Sequence, residues 1–279
     1  NEVVRELYVD GWYSSSRRHD DIVRVVVQSN MQRPASVPSI YQVVYDGSTD
    51  TSEEANASRA RSWAVLAKDA IRATTLEQWL PAWGERIDGE MVELPFQCTD
   101  FYSPAPGLTN YGISQVLGLD INDAENTALT SILGQASHVY ANSDTLVLAQ
   151  PDWAWYDHDV DFDRTSLHRF VVSADGERTP YQGSGFVEGV INDQFSIDER
   201  DGVIRVATTR TTYAEQPVND VRPDIWIAPV THNLISTLRL DEGQLQVVGK
   251  TPDLAEGERI FSARFLGDIG YIVTFRQVD

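Results

Sequence analysis

Gln194–Thr209, QFSIDERDGVIRVATT, reads as two short strands around a tight turn. Phe195 and Ile197 lead into Asp201-Gly202, and Val203, Ile204, Val206 and Ala207 lead out of it. Asp-Gly between β-branched runs predicts a hairpin with a primed turn, because that turn needs positive φ and glycine supplies it without strain. The chain carries the pattern four times. Asp20-Asp21-Ile22-Val23-Arg24-Val25-Val26 aligns with Asp201-Gly202-Val203-Ile204-Arg205-Val206-Ala207. Ser143-Asp144-Thr145-Leu146-Val147-Leu148-Ala149 and Gly267-Asp268-Ile269-Gly270-Tyr271-Ile272-Val273 fit the same frame. Before each turn a small residue stands beside an aromatic: Tyr13-Ser14, Tyr140-Ala141, Phe195-Ser196 and Phe261-Ser262.

The last three turns follow one another at intervals of roughly 60 residues, and the first gap is about twice that, which is the spacing of blades in a β-propeller. Each unit then holds three or four short strands, and the whole is all-β with about four blade repeats visible. One segment breaks the pattern. Residues 52–80 lack Gly and Pro until Pro81, and Trp63, Leu66, Ala70, Ile71 and Thr74 recur at helical spacing. Ser52 suits the N-cap, with Glu53 and Glu54 at the positive end of the dipole. This predicted helix accounts for the doubled gap, so residues 1–279 read as one propeller domain, or part of one, with a helical insert at about 52–80.

The formal net charge of −20 over 279 residues argues against a nucleic-acid partner, whose phosphates require Lys and Arg. No apolar run approaches the ~20 residues that a membrane span needs. Cys98 is the only cysteine, so no disulfide forms within the chain; it suits a small buried position or a partner outside the chain.

Several stretches together resemble bacterial and archaeal secreted proteins with a C-terminal β-propeller distantly related to WD-40 repeats. They are Ser137–Leu146, Leu167–Phe170, Tyr181–Gly189, Gln194–Thr209 and Ile260–Gln277, with Gly11–Arg18 and the region of Cys98 similar too. The resemblance implies a propeller exported to the cell envelope or beyond. It carries no catalytic motif.

Candidate chemistry is sparse. Asp157, Asp159, Asp161 and Asp163 alternate over seven residues, and such spacing can wrap oxygen ligands round Ca²⁺ or simply form a solvated acidic loop. The neighbouring Trp153, Trp155 and Tyr156 can stack on a sugar ring or pack between blades. Asp198, Glu199 and Asp201 form a second acidic cluster, open to general acid/base work or to plain turn exposure. Arg24 and Arg205, at equivalent blade positions, suggest a recurrent ion pair or carbonyl contact. Ser184 and His168 lack the Gly-x-Ser-x-Gly elbow of a hydrolase.

The sequence therefore points to an exported, non-catalytic binding module for a protein or glycan. A glycan- or peptide-directed hydrolase with acids at the propeller mouth is the alternative. An open ring leaves unpaired strand edges, so the expected partner is the remainder of the polypeptide, or another chain, completing the propeller.

Overall fold

The computed structural model describes residues 3–41, 50–104, 112–123, 125–152, 163–173, 176–212 and 230–276. The first strands are β1 (Leu7–Val9), β2 (Trp12–His19) and β3 (Ile22–Asn30), followed by helix α1 (Glu53–Arg72). Then come β4 (Trp83–Ile87), β5 (Glu90–Glu93), β6 (Phe101–Tyr102), β7 (Gly112–Asp120) and β8 (Thr127–Leu133). The next meander is β9 (His138–Ala141), β10 (Thr145–Asp152), β11 (Arg164–Val171) and β12 (Tyr181–Glu188). It is followed by β13 (Ile197–Arg200), β14 (Val203–Thr212), β15 (Val230–Asp241) and β16 (Gln244–Lys250), and the last pair is β17 (Arg259–Leu266) and β18 (Ile269–Phe275).

All four predicted hairpins are present: β2–β3, β9–β10, β13–β14 and β17–β18. β9–β10 and β13–β14 stand at opposite ends of one eight-stranded sheet, whose halves meet where β12 bridges β16 in parallel at Ser184 and Gln244. Among the described residues three four-stranded meanders serve as blades: β2-β3-β7-β8, with β6 added in parallel at its edge, then β9 to β12 and β13 to β16, the two halves of the eight-stranded sheet. The fourth repeat is a two-stranded hairpin among the described residues. Asp20, Asp201 and Gly267 each open a two-residue turn at positive φ, as a primed turn demands. The β9–β10 turn is held differently. There the Asn142 side chain accepts from the N–H groups of Asp144 and Thr145, at 2.9 and 2.8 Å.

Consecutive blades bury apolar faces against each other. Val26, Val116 and Ile132 of the first blade pack with Leu146, Leu148 and Phe170 of the second. Val147, Ala149 and Leu167 on the second blade's other side meet Ile197, Ile204, Val206 and Leu238 of the third. Ala207 and Ile235 of the third blade then meet Ile260, Ala263 and Ile272 of the last hairpin. Thr145–Ala149 is continuously apolar after Thr145 because β10 is covered on both faces.

Residues 1–11 and 30–96 form a compact unit of their own, and the remainder forms the other. The smaller unit contains the sheet β1-β4-β5 and α1. Ser52 Oγ accepts from Ala55 N at 3.3 Å, with Glu53 and Glu54 in the first turn. The helix ends at Arg72, short of residue 80. Thr74 Oγ1 bonds back to the Ile71 carbonyl at 2.7 Å, and a single 3₁₀ turn, Leu76–Gln78, follows. In the larger unit Cys98 is exposed, at the start of a 3₁₀ turn, which overturns the buried one of the two readings of this thiol.

Candidate functional site

Trp153, Trp155, Tyr156, Asp157, Asp159 and Asp161 lie outside the described residues. The two ends of that segment are described. Asp152 closes β10, and its carboxylate accepts from Gln150 Nε2 at 2.6 Å and Ser166 Oγ at 2.7 Å, with Arg164 at 3.4 Å. Asp163 is buried, and its carbonyl accepts from Gly189 N at 2.6 Å. Among the described residues no three His, Cys, Asp or Glu side chains gather as a metal site.

Ser184 and His168 meet. The register of β11 on β12 places them opposite one another, and His168 Nδ1 lies 2.6 Å from Ser184 Oγ. The Tyr181 hydroxyl is 2.7 Å from the same oxygen. His168 has no exposure and Ser184 3%, so the pair is sealed from substrate. Burial pushes the His168 pKa down to about 4, which keeps the imidazole neutral. Gly183 and Gly185 serve packing. A Cβ at either would fall within 2.3 Å of a backbone oxygen of Gly243 or Leu245, on the β15–β16 hairpin of the next blade.

The acids of the central hairpin are engaged as well. Asp198 pairs across the strands with Arg205, whose Nε lies 2.9 Å away. Arg205 also donates to the Gly267 carbonyl at 2.7 Å and lies over the Phe265 ring. Glu199 accepts from Asn142 Nδ2 and from Gly202 N, both at 2.7 Å, which ties the second blade to the third. At the far end of the sheet Glu188 bridges Lys250 and Arg210 at 2.8 and 2.7 Å. The Lys250 hydrogen bond leads the causes that hold its carboxyl below the usual range. Asp201 alone of the cluster is exposed, at the turn. Arg24, the first-blade equivalent of Arg205, donates to Thr179 Oγ1 at 3.0 Å and to the Ser173 and Gly176 carbonyls at 2.7 and 2.9 Å.

Two features went unread in the sequence. The first is the outer face of β17–β18, where Phe261, Leu266, Ile269, Tyr271, Val273 and Phe275 are each about half exposed. Phe261 and Phe275 stack edge to face at 5.0 Å. Its signal was available: IFSARFLGDIGYIVTF is apolar at adjacent positions, which suits a sheet covered on both sides. The second is the residue opposite Arg24. Strands pair symmetrically about a two-residue turn, so Arg17 stands opposite Arg24 where Asp198 stands opposite Arg205.

Comparison with known proteins agrees with this architecture. The family described as "Beta propeller domain" matches residues 1–279. An uncharacterized protein of Archaeoglobus fulgidus is 34% identical over 122 residues, which is 44% of this chain and 16% of that protein. An uncharacterized protein of Methanocaldococcus jannaschii is 35% identical over 96 residues, 34% of this chain and 13% of that protein. The matched stretches thus span less than a fifth of either relative. The chain belongs to the beta propeller domain family.

Proposed function

Taking the beta propeller domain as premise, we propose that the chain is a non-catalytic binding module that works outside the cytoplasm. The observation that carries this reading is the engagement of its reactive groups inside the fold. The Ser184–His168 pair is sealed, and of the acidic cluster at the central hairpin Asp198 is held by Arg205 and Glu199 by Asn142, with Asp201 left at the exposed turn. A general acid or base must instead be free to reach a substrate proton. The extracytoplasmic setting and the kinship to WD-40 repeats rest on the sequence resemblance. In this reading Asp157–Asp163 is a Ca²⁺ seat, tested by a melting temperature that rises with calcium and falls with chelator.

The contact surface is the outer face of β17–β18, and its occupant is a protein presenting an apolar β-sheet. The inner face of the same hairpin packs in that way against the third blade, and the second and third blades cover one another likewise. A displayed library of small β-sheet domains, selected on the immobilised chain, should return clones whose binding is lost in the Y271E/V273E double variant. Asp198→Asn and Ser184→Ala should bind as wild type. Clones indifferent to the double variant would overturn the reading, as would glycan or peptide turnover that falls in the Asp198 or Ser184 variants. A dimer abolished by Y271E/V273E would assign the face to a second copy of the chain.

A further inference from the structure

In an acidic protein, one cavity among the described residues gathers three arginines and a histidine. Arg17, Arg18, His19 and Arg24 of β2–β3 and its turn face Asn142 and Leu146 of the second blade round a space of about 130 Å³. One water needs roughly 10–15 Å³ of such space, so the cavity has room for a small polyatomic ion. Arg17 and Arg24 stand directly opposite on paired strands, a like-charge arrangement that is destabilising without a counter-charge.

Neither guanidinium has a carboxylate partner among the described residues. Arg17 donates to Ser15 Oγ at 2.7 Å, the Ser16 carbonyl at 2.8 Å and Gln194 Oε1 at 2.6 Å, with the Val139 carbonyl at 3.4 Å. Arg24 is 2% exposed, and its Nη1 is buried with no hydrogen-bond partner among the described residues. Glu177 acts on it through space without an ion pair, its Oε1 taken by Asn126. Among the described residues His19 Nδ1 is likewise buried without a hydrogen bond, 3.5 Å from Asp20. Arg18 reaches Asp21 only at 3.8 Å, on the surface. A buried guanidinium nitrogen with no acceptor, such as Arg24 Nη1, is costly unless something satisfies it.

The third blade shows what does so. At the same register Asp198 supplies the carboxylate to Arg205. We propose that the cavity between the first two blades binds an oxyanion group, carboxylate, phosphate or sulfate, which takes the place that Asp198 fills in the third blade. Arg17 and Arg24 clamp it from two strands, with Arg18 and His19 at the rim. Guanidinium forks match such groups bidentately.

The test uses the whole chain, titrated with sulfate, phosphate and acetate against chloride at matched ionic strength. Arg17→Asp rebuilds the Arg–Asp pair of the third blade inside the first. Wild type should melt at least about 3 °C higher with one or more of these anions than with chloride. Arg17→Asp should melt above wild type in chloride and show less than a third of the anion response. Any general salting effect cancels in that difference. A response to acetate alone assigns the site to a carboxylate, and one to sulfate or phosphate assigns it to a tetrahedral anion. If Arg17→Asp fails to fold, Arg17→Gln, which removes the charge alone, should also lose the response, read as heat by titration calorimetry. No anion response in wild type, or an equal one in the Arg17 variants, overturns the proposal.

Discussion

Strand β10 and helix α1 are both rich in apolar residues, yet they use them differently. Six of the eight residues of β10 are buried, because the first blade covers one face and the third covers the other. In α1 only Ala67 of twenty residues is buried, while Val65, Leu66 and Ile71 are exposed. Apolar content alone does not make a core; what matters is whether an element has a surface to lie against. The stability of this protein is therefore expected to reside in the interfaces between blades.

Leu148→Ala is the strongest way to sharpen that contrast. The side chain has no exposure and sits between the first two blades, so about 2–5 kcal/mol should be lost in urea unfolding. A loss below about 1 kcal/mol would mean that the core relaxes round the cavity and that the blades do not carry the fold.

Acid should attack the same core. His168 is buried neutral with its pKa lowered to about 4, against about 6.5 in the unfolded chain. Between those values the unfolded state binds more protons, so stability falls as pH drops through this window. The loss by pH 4 is on the order of 3 kcal/mol from this group. His168→Gln has no proton to take up, and its stability should vary less with pH over that range. An unchanged slope would place the acid sensitivity elsewhere.

Effects in the helical unit should be smaller. Ser52→Ala removes the side-chain acceptor for Ala55 N and should cost about 1 kcal/mol of helix stability, read from the helical circular-dichroism signal. Leu66→Ala, at an exposed position, should stay within about 0.5 kcal/mol of wild type. If Leu66→Ala proved as damaging as Leu148→Ala, the contrast between the two elements would collapse.

The four hairpins were readable because turn chemistry acts over a few neighbouring residues. Asp201-Gly202 needs nothing distant to form its turn, and the pairing of Arg17 with Arg24 follows from the turn between them. The meeting of Ser184 with His168 could not be counted out in that way. β11 slips register on β12 between Arg169 and Phe170, and a shift of one residue changes which side chains face each other. The helix was readable from its cap and period, but its end was not, because Thr74 closes the last turn through its own side chain.

The sequence by itself determined the repeat, the turns, the strand periodicity and the cap of α1, all of which depend on short-range sterics and hydrogen bonds. Only the tertiary structure decided which polar groups lost their water. Arg24 and Arg205 are the same residue in the same frame. Arg205 meets Asp198 across its hairpin and the Gly267 carbonyl of the next, while Arg24 meets Ser173 and Gly176 of the neighbouring blade and keeps a buried nitrogen with no partner among the described residues. Desolvation is set by what packs on top of a side chain, and that neighbour is supplied by chain about 150 residues away in the case of Arg24.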